Sequence, residues 1–154
     1  MKLHRDLNEF LRLLNAADVR YLIVGGYAVA AHGHVRYTKD LDVWLDASRE
    51  NAARVVGVLE DFGFRSLEIT ESDLRKPGQV VQIGYDPARI DLMTSVSGLE
   101  FDAAFEARLE TELDDIPIGI PCREDLKKNK LATGRMRDLA DLEDLGFDLP
   151  SKKS

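Results

Sequence analysis

The chain has 154 residues, of which 44% are hydrophobic and 32% charged, so we expect a folded domain with its own core rather than a disordered chain. The net charge of −7 argues against a protein that coats nucleic acid with its general surface, but it leaves a focused site open. Cys122 is the single cysteine, which excludes an intrachain disulfide and a cysteine-based zinc site.

Apolar segments of the sequence are short. None approaches the roughly 20 residues that cross a bilayer. The N-terminal stretch MKLHRDLNEFLRLL scatters charges among its leucines, which is not the pattern of a secretory signal. We therefore expect a cytoplasmic protein that has no membrane contact.

The first half of the chain alternates between helical and strand patterns. Apolar residues recur at helical spacing in two stretches, and the β-rich runs RYLIVG and DLDVWL lie between them. Small residues after RYLIVG indicate a short helix, and Gly63 is the expected stop of the last one. The predicted elements are helices over residues 3–14, 26–31 and 48–62 and strands over residues 20–25 and 40–45.

The second half predicts mainly strands and then helices. VVQIGY and RIDLMT are strand-like runs joined by a turn at Asp86 and Pro87. Pro117 and Pro121 indicate that the last strand is an edge strand or an extended loop. The predicted elements are strands over residues 64–70, 80–85, 89–94, 109–113 and 116–121, a loop over 74–79, a helix over 102–108, and two helices within 123–146 that are broken near Gly134.

This order of elements predicts an α/β (α+β) fold, with a mixed β-sheet flanked by helices and with helices at the C-terminal end. Residues 1–154 are expected to form a single domain, with a core over about 18–121 and a helical segment over about 122–148.

Two aspartates lie inside the second predicted strand. Side chains two residues apart on a strand share a face, so Asp40 and Asp42 point together while the leucine between them packs the other way. Buried carboxylates side by side repel each other unless a cation lies between them, and hard oxygen ligands suit Mg²⁺ or Mn²⁺. Asp91 lies between apolar neighbours on a separate strand. The Asp40–Asp42 pair alone, and Asp91 alone, are more typical of a solvated or structural strand end than of a metal site.

A glycine pair separates the first strand from the short helix. Gly25 and Gly26 would let backbone N–H groups approach a phosphate closely. A glycine pair alone says little. The combination of this pair with Asp40, Asp42 and Asp91 is much more specific, and it indicates a site for a phosphate and a divalent cation.

The elements Val-Gly-Gly at 24–26, Asp-Leu-Asp at 40–42 and Ile-Asp-Leu at 90–92 resemble the signature of the DNA polymerase beta-like nucleotidyltransferase superfamily. With Arg36 and Thr38 before the aspartates, the stretch is similar to that of small bacterial AbiEii-like toxin nucleotidyltransferases, and aminoglycoside nucleotidyltransferases carry a similar arrangement. KLATGRMRDLADL, with Lys130, Arg137 and Asp138, resembles the later AbiEii-type motif, although toxin members usually have lysine where this chain has Arg137.

The resemblance implies transfer of a nucleoside monophosphate from an NTP to a hydroxyl acceptor, with release of pyrophosphate. It implies two Mg²⁺ or Mn²⁺ ions held about 3.5–4 Å apart. The implied partners are the NTP, an acceptor such as tRNA, a protein or a small molecule, and a cognate antitoxin if the chain is a toxin–antitoxin component. The implied catalytic and metal-binding residues are Asp40, Asp42 and Asp91, and the implied nucleotide-binding residues are Gly25, Gly26, Arg36, Thr38, Lys130 and Arg137.

Two other classes of function fit the sequence less well. The first is a catalytically idle protein of the same fold that binds a nucleotide or a partner, against which the intact set of three aspartates argues. The second is a general DNA-binding module, for which the sequence has no basic helix and no alternation of aromatic and basic residues.

Several residues near the motifs carry both a structural and a functional interpretation. His32 and His34 lack a third ligand nearby, so a turn or surface role is favoured over a metal site. Trp44 shares the face of the aspartates but is expected to pack in the core rather than line a base pocket. Tyr27 could stack on a base or pack a helix. Asp138 is expected to support the site indirectly.

Overall fold

The computed structural model describes residues 2–33, 40–63 and 68–147. Helices and strands occur in the predicted order, except that residues 68–70 form no strand. The helices are α1 (Arg5–Ala16), α2 (Gly25–Ala31), α3 (Arg49–Phe62), α4 (Phe101–Glu106), α5 (Arg123–Thr133) and α6 (Met136–Asp144). The strands are β1 (Tyr21–Val24), β2 (Leu41–Leu45), β3 (Val80–Ile83), β4 (Ile90–Met93), β5 (Leu109–Leu113) and β6 (Ile116–Ile120).

The main sheet is mixed, and the α+β prediction is confirmed. Its strand order is β1-β2-β4-β3, in which β2 and β4 run parallel while β1 and β3 pair antiparallel with their neighbours. The register sets Asp42 opposite Val24 on one side and opposite Asp91 on the other. Strands β5 and β6 form a separate antiparallel pair.

One face of the main sheet is covered by α1 and α3. Alternate residues of β2, Leu41, Val43 and Leu45, enter this core, as period-two patterning requires. Ser48 caps the start of α3, where its side chain accepts a hydrogen bond from the backbone N–H of Asn51. The helix ends before Gly63, which adopts the left-handed conformation. Burial on this face fixes which side chains of β2 point away from it, and Asp42 is one of them.

The opposite face of the sheet is covered only in part, by α4. Trp44 is 1% exposed and contacts the ring of Phe101 edge to face at a centroid distance of 5.1 Å. The core interpretation of Trp44 is therefore confirmed. Tyr27 belongs to the main core cluster, which confirms its packing role. On the β3 side of this face, Val80 is 63% exposed.

The predicted strand over residues 64–70 is wrong in its second half, since residues 68–70 are irregular and lead into turns; residues 64–67 lie outside the described part of the chain. Thr70 and Asp73 explain the difference. The Thr70 N–H donates to Asp73 Oδ2 at 2.9 Å, and the Asp73 N–H donates to Thr70 Oγ1 at 3.2 Å. Side chains that satisfy the backbone locally compete with a strand ladder.

Among the described residues, no helix is both long and apolar enough to cross a membrane. His32 lies in the turn after α2, where its Nε2 is 2.8 Å from the carbonyl oxygen of Pro121. This contact is the turn role predicted for His32. The prediction for His34 falls outside the described residues.

Candidate functional site

A polar cavity of about 210 Å³ lies where β2, β4, α2 and α6 meet. It collects the predicted site residues from distant parts of the sequence. Arg36 and Thr38 lie outside the described residues. The cavity is lined by Gly25, Gly26, Asp40, Asp42, Asp91, Lys130, Arg135, Arg137 and Asp138.

The carboxylates of Asp42 and Asp91 lie side by side because their strands pair at these two positions. Burial raises the pKa of Asp42 to about 6, and the negative charges of Asp91 and Asp40 push it in the same direction, while Arg89 opposes them. When Asp42 is protonated it can hydrogen-bond to Asp91, which raises its pKa further. At neutral pH, folding therefore holds Asp42 charged in a place that disfavours its charge.

Arg89 belongs to this site, although it lies outside the sequence motifs that predicted the other residues. It precedes β4, and its guanidinium donates from Nε to Asp91 Oδ1 and from Nη2 to Asp91 Oδ2, both at 3.1 Å. Its Nη1 lies 3.9 Å from Asp40 Oδ2. The hydrogen bonds with Asp91, helped by its charge, raise the pKa of Arg89. Its position does indicate the role: Arg89 stands two residues before Asp91, and residues two apart on a strand share a face.

The donor chemistry of this cluster fits a hard divalent cation. Asp40, Asp42 and Asp91 offer carboxylate oxygens only, and burial together with the two neighbouring aspartates disfavours the charge of Asp42, which a bound cation would stabilise. The side chains of the described residues do not themselves form a ready metal centre, since no three His, Cys, Asp or Glu side chains among them are close enough to hold one ion together. The two oxygens of Asp91 are instead bonded to Arg89.

Gly25 brings the backbone against the carboxylate of Asp42. Its φ of +69° lies in the left-handed region, and a Cβ atom added there would overlap Asp42 Oδ2 and lie 3.0 Å from Cγ. Only glycine satisfies both conditions at this position. The start of α2 and the strand-borne aspartate therefore share one wall of the cavity.

Lys130 enters the cavity from α5, but it is not a solvated lysine. It is 5% exposed, and its Nζ lies 3.1 Å from Asp138 Oδ1 and 3.1 Å from Asp141 Oδ2. Asp138 also accepts hydrogen bonds from Thr133 Oγ1 at 2.6 Å and from Arg135 Nε at 2.7 Å. The network joins α5 to α6.

The charges of this second cluster are well compensated. Burial by itself would raise the pKa of Asp138, but hydrogen bonds from Arg135, Thr133 and Lys130 outweigh it and lower the pKa to about 2. The indirect role predicted for Asp138 agrees with its contacts to Lys130. Arg135 lines the cavity beside it and was not predicted.

A second cavity of about 220 Å³ adjoins the first. Gly25, Asp42, Lys130 and Arg135 line both, so they form the wall between the two spaces. The second cavity is more mixed in character than the first. Its other lining residues are Val24, Met93, Ser95, Val96, Ser97, Asn129 and Thr133.

Substituting Gly25 should destabilise the protein, since alanine would meet both the positive φ and the Asp42 carboxylate. We expect Gly25→Ala to lower the free energy of unfolding by about 1–3 kcal/mol in urea titrations. Gly57→Ala is the matched control, because a Cβ on Gly57 in α3 would meet nothing within 4 Å. It should be neutral or stabilising by up to about 1 kcal/mol. Equal effects of the two substitutions would contradict the close approach.

Asp42 should make the metal-free protein less stable as the pH rises. Its pKa is about 6 in the folded chain against 3.8 normally, so the folded state binds more protons between these values and stability falls from pH 4 to pH 6. Asp42→Asn removes this loss. Unfolding by urea at pH 7.5 with a chelator should show the variant to be more stable by about 1–2 kcal/mol, after allowance for partial solvent screening.

Asp138→Asn is the control with the opposite sign. The pKa of about 2 means that ionised Asp138 stabilises the fold at neutral pH and that this contribution is lost only as the pH falls from about 4 through 2. Asp138→Asn should therefore destabilise the protein at pH 7.5. A stabilising effect of Asp42→Asn that is the same at pH 4 and pH 7.5 would contradict the assignment of the raised pKa.

A search of curated proteins finds no match to this chain. A family model does match, over residues 1–147, and it describes nucleotidyltransferases of unknown function (DUF6036). The match spans the glycine pair, the three aspartates and both C-terminal helices. The chain therefore belongs to this nucleotidyltransferase family.

Proposed function

We propose that the protein is a metal-dependent nucleotidyltransferase that transfers a nucleoside monophosphate from an NTP to a hydroxyl acceptor. The observation that carries the proposal is the lateral pairing of Asp42 with Asp91, with Asp40 on the same cavity wall. Three carboxylates around one polar cavity have no evident purpose in stabilising the fold, since the charge of Asp42 is disfavoured there.

The divalent cation of the proposal is Mg²⁺ or Mn²⁺, which would be held by Asp40, Asp42 and Asp91 and would neutralise charge on the triphosphate. The chain's own residues would position the reactants. Gly25 and Gly26 expose backbone on the cavity wall. The phosphates would lie along this wall, because backbone N–H groups and a nearby cation stabilise phosphate oxygens.

Lys130 supports the same placement of the phosphates. It lines both cavities, so its positive charge acts at the wall that the two spaces share. Asp138 and Asp141 hold its ammonium group at a fixed position. Arg135 and Arg137 add positive charge around the first cavity, and guanidinium groups bind phosphate oxygens well.

The proposed reaction is a single displacement at the α-phosphorus. The acceptor oxygen forms a bond to that phosphorus while the bond to the bridging oxygen breaks, and pyrophosphate leaves with that bonding pair. The acceptor loses its hydroxyl proton to Asp91, which lies on the side of the cavity away from the Gly25 wall. An acceptor would therefore approach from the side of β4 and β3.

We further propose, from the sequence motifs, that the enzyme is AbiEii-like and polymerase beta-like and that it acts in a toxin–antitoxin pair; from the short apolar segments and the single cysteine we propose a cytoplasmic location. The acceptor is proposed to be RNA, a protein or a small molecule. The alternative is an idle protein of the same fold that binds a nucleotide or a partner but transfers nothing. An assay for transfer separates the two functions.

Transfer should be measured with each of the four α-³²P-labelled NTPs, Mg²⁺ or Mn²⁺, and separate RNA, protein and small-molecule fractions of a cell extract. We expect metal-dependent labelling of one fraction. Asp42→Asn should reduce it at least about a hundredfold, because it removes a charged ligand. Asp61→Asn, on the exposed side of α3, is the control and should retain activity.

Binding of each NTP should be measured in parallel by calorimetry. Nucleotide binding without any labelled product, in every combination of metal and fraction, would reject the enzyme and favour the idle alternative. Labelling that survives Asp42→Asn would reject the proposed site.

A further inference from the structure

Arg89 holds the carboxylates of the proposed metal site together. Its guanidinium makes two parallel hydrogen bonds with Asp91, both at 3.1 Å, and approaches Asp40 at 3.9 Å. The side chain of Asp91 is 11% exposed and that of Arg89 is 37% exposed. A bidentate pair of this kind is among the stronger charge-assisted hydrogen-bond arrangements in proteins.

These contacts use the atoms that a divalent cation needs. Both oxygens of Asp91 accept from Arg89, and a hard cation binds through the same oxygens. The guanidinium cannot lose its charge at ordinary pH, so it does not leave through deprotonation. The described carboxylates accordingly show no ready three-ligand arrangement.

We propose that Arg89 is the resident cation of the nucleotide-free site and that a divalent metal must displace it from Asp91 to bind. This inference rests on the proposed function. It makes metal binding weak when the protein is alone and strong when the triphosphate arrives, because the phosphates supply further oxygen ligands and attract the released guanidinium.

The surroundings of Arg89 allow this exchange. The side chain is partly exposed, so its guanidinium can be hydrated once it leaves Asp91. Asp86, on the turn between β3 and β4, also attracts the guanidinium through its charge. Arg89 therefore has a second acidic neighbour that can stabilise its charge once it leaves Asp91.

The test is a titration of Mn²⁺ followed by electron paramagnetic resonance, with and without a non-hydrolysable NTP analogue. Without nucleotide, Arg89→Gln should bind Mn²⁺ about tenfold more tightly than the unmodified chain, a ratio that corresponds to about 1.4 kcal/mol. Arg137→Gln is the matched control, because it removes one positive charge from the same cavity. It should tighten binding by less than about threefold, since it does not release Asp91.

Arg89→Lys keeps the charge but cannot form the two parallel bonds, so its Mn²⁺ affinity should fall between those of the unmodified chain and Arg89→Gln. It also provides a readout if the glutamine variant fails to fold. With the analogue present, the difference between the unmodified chain and Arg89→Gln should shrink.

Unchanged or weaker Mn²⁺ binding by Arg89→Gln would overturn the inference and show that Arg89 instead orients Asp91 toward the metal. An equal gain in Arg137→Gln would also overturn it, since the effect would then be one of charge alone. Failure of every form to bind Mn²⁺, even with the analogue, would instead reject the metal-dependent function.

Discussion

Asp42 and Asp91 repel each other, and the backbone pairing of β2 with β4 holds them together regardless. Neither side chain can turn into the core, because alternate residues of both strands already fill it. Burial of those neighbours therefore stabilises a contact that is unfavourable in itself. Arg89, the closeness of the Gly25 backbone and the raised pKa of Asp42 all follow from this arrangement.

Two clusters of charge share the cavity, and they differ in how well they are compensated. In the cluster on α5 and α6, Lys130 and Arg135 face Asp138 and Asp141, so equal numbers of opposite charges meet with good hydrogen-bond geometry. At the sheet, Arg89 pairs with Asp40 and Asp91, and its charge also acts on Asp42.

The first kind of cluster suits a rigid support, since each group is satisfied without any ligand. The second kind favours the entry of a cation. Their contact in one cavity sets two basic side chains, Lys130 and Arg135, held in place by carboxylates, near Asp40, Asp42 and Asp91. In the proposed function the basic groups would face the phosphates and the three aspartates would face the metal.

The sequence predicted the order of elements well where patterning was strong. Alternate residues of β2 and β4 enter the main core, and helices α5 and α6 break at Gly134 as expected. The strand predicted at residues 68–70 does not form, because hydrogen bonds between Thr70 and Asp73 satisfy the backbone locally. Such bonds depend on side-chain geometry that periodicity does not register.

The site was predictable to different degrees for different residues. Motif spacing identified the glycines and aspartates, but their contact depends on β2 and β4 being neighbours, which the order of strands along the chain does not determine. Arg89 could have been found from its position two residues before Asp91. The burial of Lys130 could not have been predicted from the sequence. It depends on how α5 packs against α6, which brings Asp138 and Asp141 to the ammonium group of Lys130.

The strand order also places the phosphates and the acceptor of the proposed reaction on opposite sides of Asp42 within the sheet. Strand β1 and helix α2 form the wall on one side of Asp42, while β4 and β3 continue from its other side. Helix α4 covers the face near β1, whereas Val80 on β3 stays 63% exposed. In the proposed reaction the phosphates therefore lie on the side that α4 covers, and the acceptor lies on the side of the exposed strand β3. Variation in β3 could then change the acceptor without disturbing the carboxylates, because Asp42 and Asp91 are held by β2 and β4.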